Sequence, residues 1–222
     1  KLFYYNLKTK KKKELLAPKV YASGQGGLLD VKYYKSHLYI TYSEKIKKVA
    51  TTVLAKAEVS NSGIGPWRKL FTARVRAGGD IHFGSRIAIA NDHIFMTVGD
   101  RGKRNLAQDL NYHNGKVLRL TLSGAPVKGN PLIGKSGLDE IWSYGHRNPQ
   151  GIGFDPDTGE AYTAEHGPSV DDEVNRLAPG GNYGWDPVPG YDESVPMTDL
   201  VAFPDAVPAA WSSGAKTIAP GG

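Results

Sequence analysis

The chain has 222 residues, 40% of them hydrophobic, with a formal charge of +6 and no cysteine. No apolar run approaches the ~18–20 residues of a membrane-spanning helix, and the lack of cysteine removes disulfides, thiol catalysis and thiolate-bound metals. The positive charge suggests nucleic acid until it is located: Lys1, Lys8, Lys10, Lys11, Lys12 and Lys13 all precede the first acid, Glu14, and the remainder carries as many acids as bases. A lysine run between two strand-like segments reads as a solvated hairpin tip. Without a basic stripe interleaved with aromatics, nucleic-acid binding is not expected.

Taken in chain order, segments rich in Val, Ile, Tyr, Phe and Thr predict strands at 2–7, 38–42, 47–54, 69–75, 86–90, 93–98, 117–122 and 161–164. No dozen residues keep a 3.6-residue apolar period without a Gly or Pro break, so little helix is expected and the class is all-β. Three stretches, starting at Asp30, Arg86 and Gly151, repeat the order strand, polar turn, strand. Their spacing exceeds the ~40–50 residues of common propeller repeats, which implies loops inserted between strands of a β-propeller. A β-sandwich is the plainer alternative. The opening Lys1-Leu-Phe-Tyr-Tyr5 already reads as a strand, and 217–222 follow a strand lead-in with no closing element. These ends predict a single domain over 1–222 that is part of a larger propeller.

The inserted loops are where chemistry concentrates. His82 precedes one predicted inner strand, and Arg147 with Asn148 precede the equivalent strand one repeat later, so all three point to one centre. A neutral imidazole there accepts a proton near neutral pH. Arg147 offers a forked donor array and Asn148 a neutral donor and acceptor, which suits an oxygen-rich planar ligand. The alternatives are a structural histidine and an arginine that ties two loops together through backbone carbonyls.

Residues 165–183 read as territory for a hard cation, with Asp171, Asp172 and Glu173 as carboxylates and a Gly167-Pro168 turn that can present carbonyl oxygens. Asp155-Pro-Asp-Thr-Gly-Glu160 departs from a calcium loop at its fifth and twelfth places and reads as a hairpin turn. The histidines show no zinc spacing, and neither a nucleophile elbow, a P-loop nor a dinucleotide fingerprint is present; Gly24-Gln-Gly-Gly27 is too short for one.

Eight motifs then occur in order: Gly24-Gln-Gly-Gly-Leu-Leu-Asp30, His82-Phe-Gly-Ser-Arg86, Gly99-Asp-Arg-Gly102, Gly115-Lys-Val-Leu-Arg119, Gly145-His-Arg-Asn-Pro-Gln-Gly151, Glu165-His-Gly-Pro168, Asp171-Asp-Glu-Val-Asn175 and Asn182-Tyr-Gly-Trp185. With these the chain resembles the glucose/sorbosone dehydrogenase family, the soluble aldose sugar dehydrogenases that depend on pyrroloquinoline quinone (PQQ). The resemblance implies a six-bladed β-propeller, of which this chain holds about four blades, truncated at both ends, with PQQ in the channel mouth. It also implies periplasmic or secreted location. It marks His82 as the general base, Gln25, Arg147 and Asn148 as PQQ contacts with Tyr191 as a further one, Gly167 and Pro168 as carbonyl ligands of a calcium beside PQQ, and Glu173 and Tyr183 as ligands of a calcium in the same region. The implied reaction oxidises the C1 hydroxyl of an aldose to a lactone by hydride transfer to PQQ, with electrons leaving to an external acceptor. Asn105-Leu106 stands where relatives carry another polar side chain, and the later blades have no counterpart here. The competing readings are a non-catalytic binding propeller of the same superfamily and a calcium-dependent lactonase-type propeller.

Overall fold

The computed structural model describes residues 1–60, 63–77, 79–185 and 196–218. Strands dominate; the one regular helical element among these residues is a 3-10 turn, Arg104–Ala107, and no helix is long and apolar enough to cross a membrane. The lysine run sits at the tip and on the second strand of an exposed hairpin, β1 (Leu2–Tyr5) with β2 (Lys12–Leu15).

Three larger antiparallel sheets follow in chain order. The first contains β3 (Leu28–Tyr34), β4 (His37–Ile46), β5 (Val49–Ser60) and β6 (Gly63–Ile64), with β7 (Arg68–Thr72) also on β5. The second contains β8 (Ile87–Ala90), β9 (His93–Val98), β10 (Lys116–Thr121) and β11 (Ile141–Tyr144). The third contains β12 (Pro149–Phe154), β13 (Ala161–Glu165), β14 (Glu173–Arg176) and β15 (Trp211–Ser212). The three sequence repeats are the opening hairpins β3–β4, β8–β9 and β12–β13. The first two turn through residue pairs in the left-handed region, Lys35-Ser36 and Asn91-Asp92, the geometry whose twist matches a tight hairpin. The Asp155–Glu160 segment is a hairpin turn as expected, closed by Asp155 N–H on the Glu160 carbonyl. Lys47, expected to open a strand, instead turns β4 into β5 at φ 55°.

Each sheet begins with an edge strand, and these edges face one another: β3 packs on β8, and β8 and β9 pack on β12. An edge strand leaves backbone groups without a sheet partner. Here side chains supply partners across the gap. Arg86 donates from Nη1 to the Leu29 carbonyl at 2.5 Å, from Nε to the Gln150 carbonyl at 2.9 Å and from Nη2 to Gln150 Oε1 at 3.1 Å, so one guanidinium clasps the inner edges of the first and third sheets. Arg86→Met, which keeps the stem and loses the fork, is expected to lower stability by about 2–4 kcal/mol, read by urea denaturation.

Alternation along β9 explains the core. Ile94, Met96 and Val98 point into the seam with the first sheet beside Tyr39, Leu54 and Ile87, whereas Phe95 points the other way, into the seam with the third sheet beside Val117, Ala161 and Leu177. One cation lies within this packing. Lys116, fully buried, donates from Nζ to the carbonyls of Leu106 at 3.0 Å, Ala107 at 2.8 Å and Asn114 at 2.6 Å, holding the 3-10 turn against β10. Burial pushes its pKa down to about 7.

Candidate active site

The site lies where the strands of the second and third sheets end beside the inner edges. His82 follows β7 in a loop that turns through left-handed backbone at His82, Gly84 and Ser85. The loop lies hard against the end of β9: a Cβ on Gly99 would come within 2.1 Å of the His82 carbonyl oxygen, so only glycine fits there. The next residue, Asp100, is fully buried and accepts from His82 Nδ1 at 2.7 Å, Gly102 N–H at 2.8 Å and Trp185 Nε1 at 2.9 Å. Burial alone would raise its pKa, but the His82, Trp185 and Gly102 donors outweigh burial and hold it below the usual carboxylate range. An ionised acceptor requires the proton on Nδ1, which leaves the Nε2 lone pair of His82 as the ring's basic site.

The other residues expected at this centre are brought to it. Gln25 Oε1 accepts from the His82 N–H at 2.7 Å, and Asn148 Oδ1 accepts from the Gly84 N–H at 3.2 Å and from Gln150 Nε2 at 2.9 Å. A backbone N–H admits only the oxygen of an amide, so both side chains are locked with their NH₂ groups turned away as donors. Both line a cavity of about 260 Å³ with Phe83, Arg86, Gln150 and His166. The buried Arg101 stiffens its wall, with its guanidinium 3.4 Å over the Phe83 ring and Nη2 on the carbonyls of Ala50 and Gly79.

Arg147 is joined to the same centre through its carbonyl, which accepts from the Asp100 N–H at 2.7 Å. Its Nη1 donates to the His166 carbonyl at 2.9 Å and its guanidinium lies 5.6 Å from the Trp185 ring. It therefore ties two loops together, as the plainer sequence reading had it, while standing beside the centre. The 145–148 turn is held by one buried carboxylate, Glu165, which accepts from the N–H groups of Arg147 and Asn148 and from His146 Nδ1 at 3.0 Å. His146 is a structural histidine, bonded also to Ser143 and stacked 4.5 Å from the Tyr183 ring.

The acidic segment is arranged differently from a simple carboxylate cage. Asp171 accepts from Met197 N–H and the Ser212 hydroxyl; Asp172 accepts from Gly167 N–H at 2.9 Å, the Thr217 hydroxyl and Ile218 N–H. Both carboxylates thus brace the loop. Gly167 is obligatory, since a Cβ would meet the Val170 carbonyl oxygen at 1.8 Å. Glu173 is a strand residue rather than a loop residue, the first of β14, buried and bonded to Thr198 Oγ1 at 2.9 Å and Asn175 Nδ2 at 3.1 Å. The Tyr183 hydroxyl is taken by Arg176 O and Ala178 N–H, so its backbone carbonyl is the one oxygen it has left to offer an ion. Among the described residues no three His, Asp or Glu side chains converge as a metal cluster. A cation here would need carbonyl oxygens. Tyr191 lies outside the described residues.

Burial, with the neighbouring Glu165 and Asp171 carboxylates, raises the Glu173 pKa to about 8. A carboxyl raised from its unfolded value near 4.5 stabilises the fold at low pH and loses that contribution as pH climbs toward 8. Urea denaturation without calcium is expected to show stability falling between about pH 5 and 8, and Glu173→Gln is expected to flatten that slope.

The family description Glucose / Sorbosone dehydrogenase matches residues 2–222. The chain belongs to the glucose/sorbosone dehydrogenase family. It is 37% identical over 178 residues to aldose sugar dehydrogenase YliI of Escherichia coli, covering 76% of this chain and 48% of that protein. It is 41% identical over 132 residues to quinoprotein glucose dehydrogenase B of Acinetobacter calcoaceticus, covering 50% and 27%. The apo form of the soluble Escherichia coli aldose sugar dehydrogenase superposes with a TM-score of 0.85 at 30% identity, over 96% of this chain and 66% of that one. The PQQ-bound aldose sugar dehydrogenase of Streptomyces coelicolor gives 0.78 at 27% identity, over 95% and 60%. The chain spans about half the length of the first curated relatives it matches.

The sequence singled out His82, Gln25, Arg147 and Asn148, which the fold brings to one place, but gave no role to Asp100, Trp185 or Glu165. A signal for Asp100 was present: an acid placed directly after an apolar strand and between two glycines, in Gly99-Asp-Arg-Gly102. Trp185 has no such signal, since its partner Asp100 lies 85 positions away in sequence.

Proposed function

We propose that the intact protein is a PQQ-dependent dehydrogenase that oxidises the C1 hydroxyl of aldoses to lactones, passing electrons to an external acceptor. The observation that carries this reading is the His82–Asp100 pair beside a cavity whose amide donors, Gln25 and Asn148, are locked in orientation. Such a donor set fits an acceptor-rich acid such as PQQ. The reading includes a complete six-bladed propeller and export to the periplasm or cell exterior, in keeping with the family.

Within this chain, Gln25, Asn148 and Arg147 would hold the cofactor's oxygens. Gly167 and Pro168 would hold calcium through their carbonyls, with Glu173 and the Tyr183 carbonyl near a calcium in the same region; Glu173 fits because it is a buried carboxylate. When bound, PQQ supplies an ortho-quinone that accepts hydride. His82 Nε2 takes the proton of the sugar's C1 hydroxyl, a contribution of about 10²- to 10⁴-fold. Asp100 fixes the ring, holds the proton on Nδ1 and stabilises the imidazolium that forms. The polar residues lining this cavity are Gln25, Arg86, Asn148, Gln150 and His166, with no carboxylate such as a lactonase-type calcium axis needs, which favours the dehydrogenase reading.

Titration of the intact protein with PQQ and Ca²⁺, followed by sugar-dependent dye reduction, tests the proposal. Saturable PQQ uptake with reduction on an aldose is expected; no reduction with any aldose would sink it.

A further inference from the structure

A second cavity, of about 380 Å³, lies in the seam between the second and third sheets and is bounded by β9, β10, β11 and β13. It sits at the far end of the strands from His82. The site end of β9 is Val98 and of β12–β13 is the Pro149–Glu165 pair; this cavity is lined at the opposite ends, by His93 and by Phe154 and Ala161. With ~3.3 Å per strand residue, His93 and Asp100 lie roughly 20 Å apart.

Its walls are aromatic. Phe95 meets Trp142 edge-on at 5.5 Å and Phe154 at 5.1 Å between centroids. Its charge comes from Arg119, whose guanidinium lies 4.6 Å over the Trp142 ring. The acid at the rim is already spent, since Glu160 accepts from Arg176 Nη1 at 2.9 Å and from the Tyr162 hydroxyl at 2.9 Å. Arg119 itself has no hydrogen-bonded or ionic side-chain partner among the described residues, and its Nε and the Trp142 Nε1 are buried donors without an acceptor. The Arg119 guanidinium, held over the Trp142 ring, has a forked donor set that matches a carboxylate. Apolar walls around it weaken competing water and strengthen such a pair.

We propose that this crevice is a binding site for a small carboxylate with a planar apolar body, the carboxylate on Arg119 and the body against Phe95, Trp142 and Phe154. The ligand enters from the face opposite the His82 centre and does not compete with occupants of that centre.

Calorimetric titration of the intact protein with benzoate tests it. Saturable binding at one site is expected, with benzamide, of the same shape but uncharged, about ten-fold weaker or more. Arg119→Gln is expected to remove the benzoate signal, while saturation with PQQ leaves it in place. The benzoate and benzamide comparison uses unaltered protein and stands even if the variant folds poorly. Absence of saturable benzoate binding, equal affinity for benzamide, survival of binding in a folded Arg119→Gln variant, or displacement by PQQ would each overturn the proposal.

Discussion

Replacing His82 by Gln is expected to lower sugar-dependent dye reduction by the intact, cofactor-loaded protein about 10²- to 10⁴-fold while leaving PQQ uptake nearly unchanged. The separation follows from what each atom of this residue does. The His82 backbone N–H orients Gln25, and its carbonyl lies against Gly99, so the cofactor wall depends on main chain that the substitution retains. Only Nε2 and the bond from Nδ1 to Asp100 are lost. A variant that binds PQQ and still turns over at the parental rate would show that the base is another group.

Asp100→Asn is expected to be comparably damaging, about 10²- to 10⁴-fold in turnover, although the side chain need not touch sugar or cofactor. The carboxylate serves three donors with two oxygens: His82 Nδ1 and Gly102 N–H on Oδ1, and Trp185 Nε1 on Oδ2. An amide has one oxygen. Turned toward Trp185, it sets its NH₂ against His82 and Gly102 and drives the imidazole proton onto Nε2, the wrong tautomer for a base; turned the other way, it opposes the Trp185 N–H. Measurement of kcat and PQQ affinity separates the cases, because a positioning role lowers kcat with affinity kept. Loss of both together would assign Asp100 to the fold instead.

Much of the architecture was legible because it is local. The three repeats became hairpins since strand composition and turn residues act within a dozen positions, and Asn91-Asp92 and Lys35-Ser36 adopt the left-handed turn that their strands require. β14 was missed for the converse reason: Glu173-Val-Asn-Arg176 looks like polar loop, and its extended form is imposed by ladders to β13 and β15 rather than by propensity. His82, Arg147 and Asn148 were singled out through their shared place ahead of an inner strand, and the fold brings them together. Asp171 and Asp172 were read as carboxylates for a cation because type alone is visible in sequence, whereas Met197, Ser212 and Thr217, which donate to them, arrive through tertiary contact. The Asp100–Trp185 bond spans 85 positions in sequence, and no local pattern encodes it.

The three-carbonyl seat of Lys116 also makes that residue a natural gauge of breathing. Its Nζ is sealed beneath the 104–107 turn and bonded to three carbonyls, out of reach of acylating reagents. The lysines of the N-terminal hairpin are open to solvent and will label at once. Lys116 will label only as fast as the turn lifts, so the ratio of its modification to theirs, followed by mass spectrometry, times the opening of the wall that carries Asp100 and Trp185.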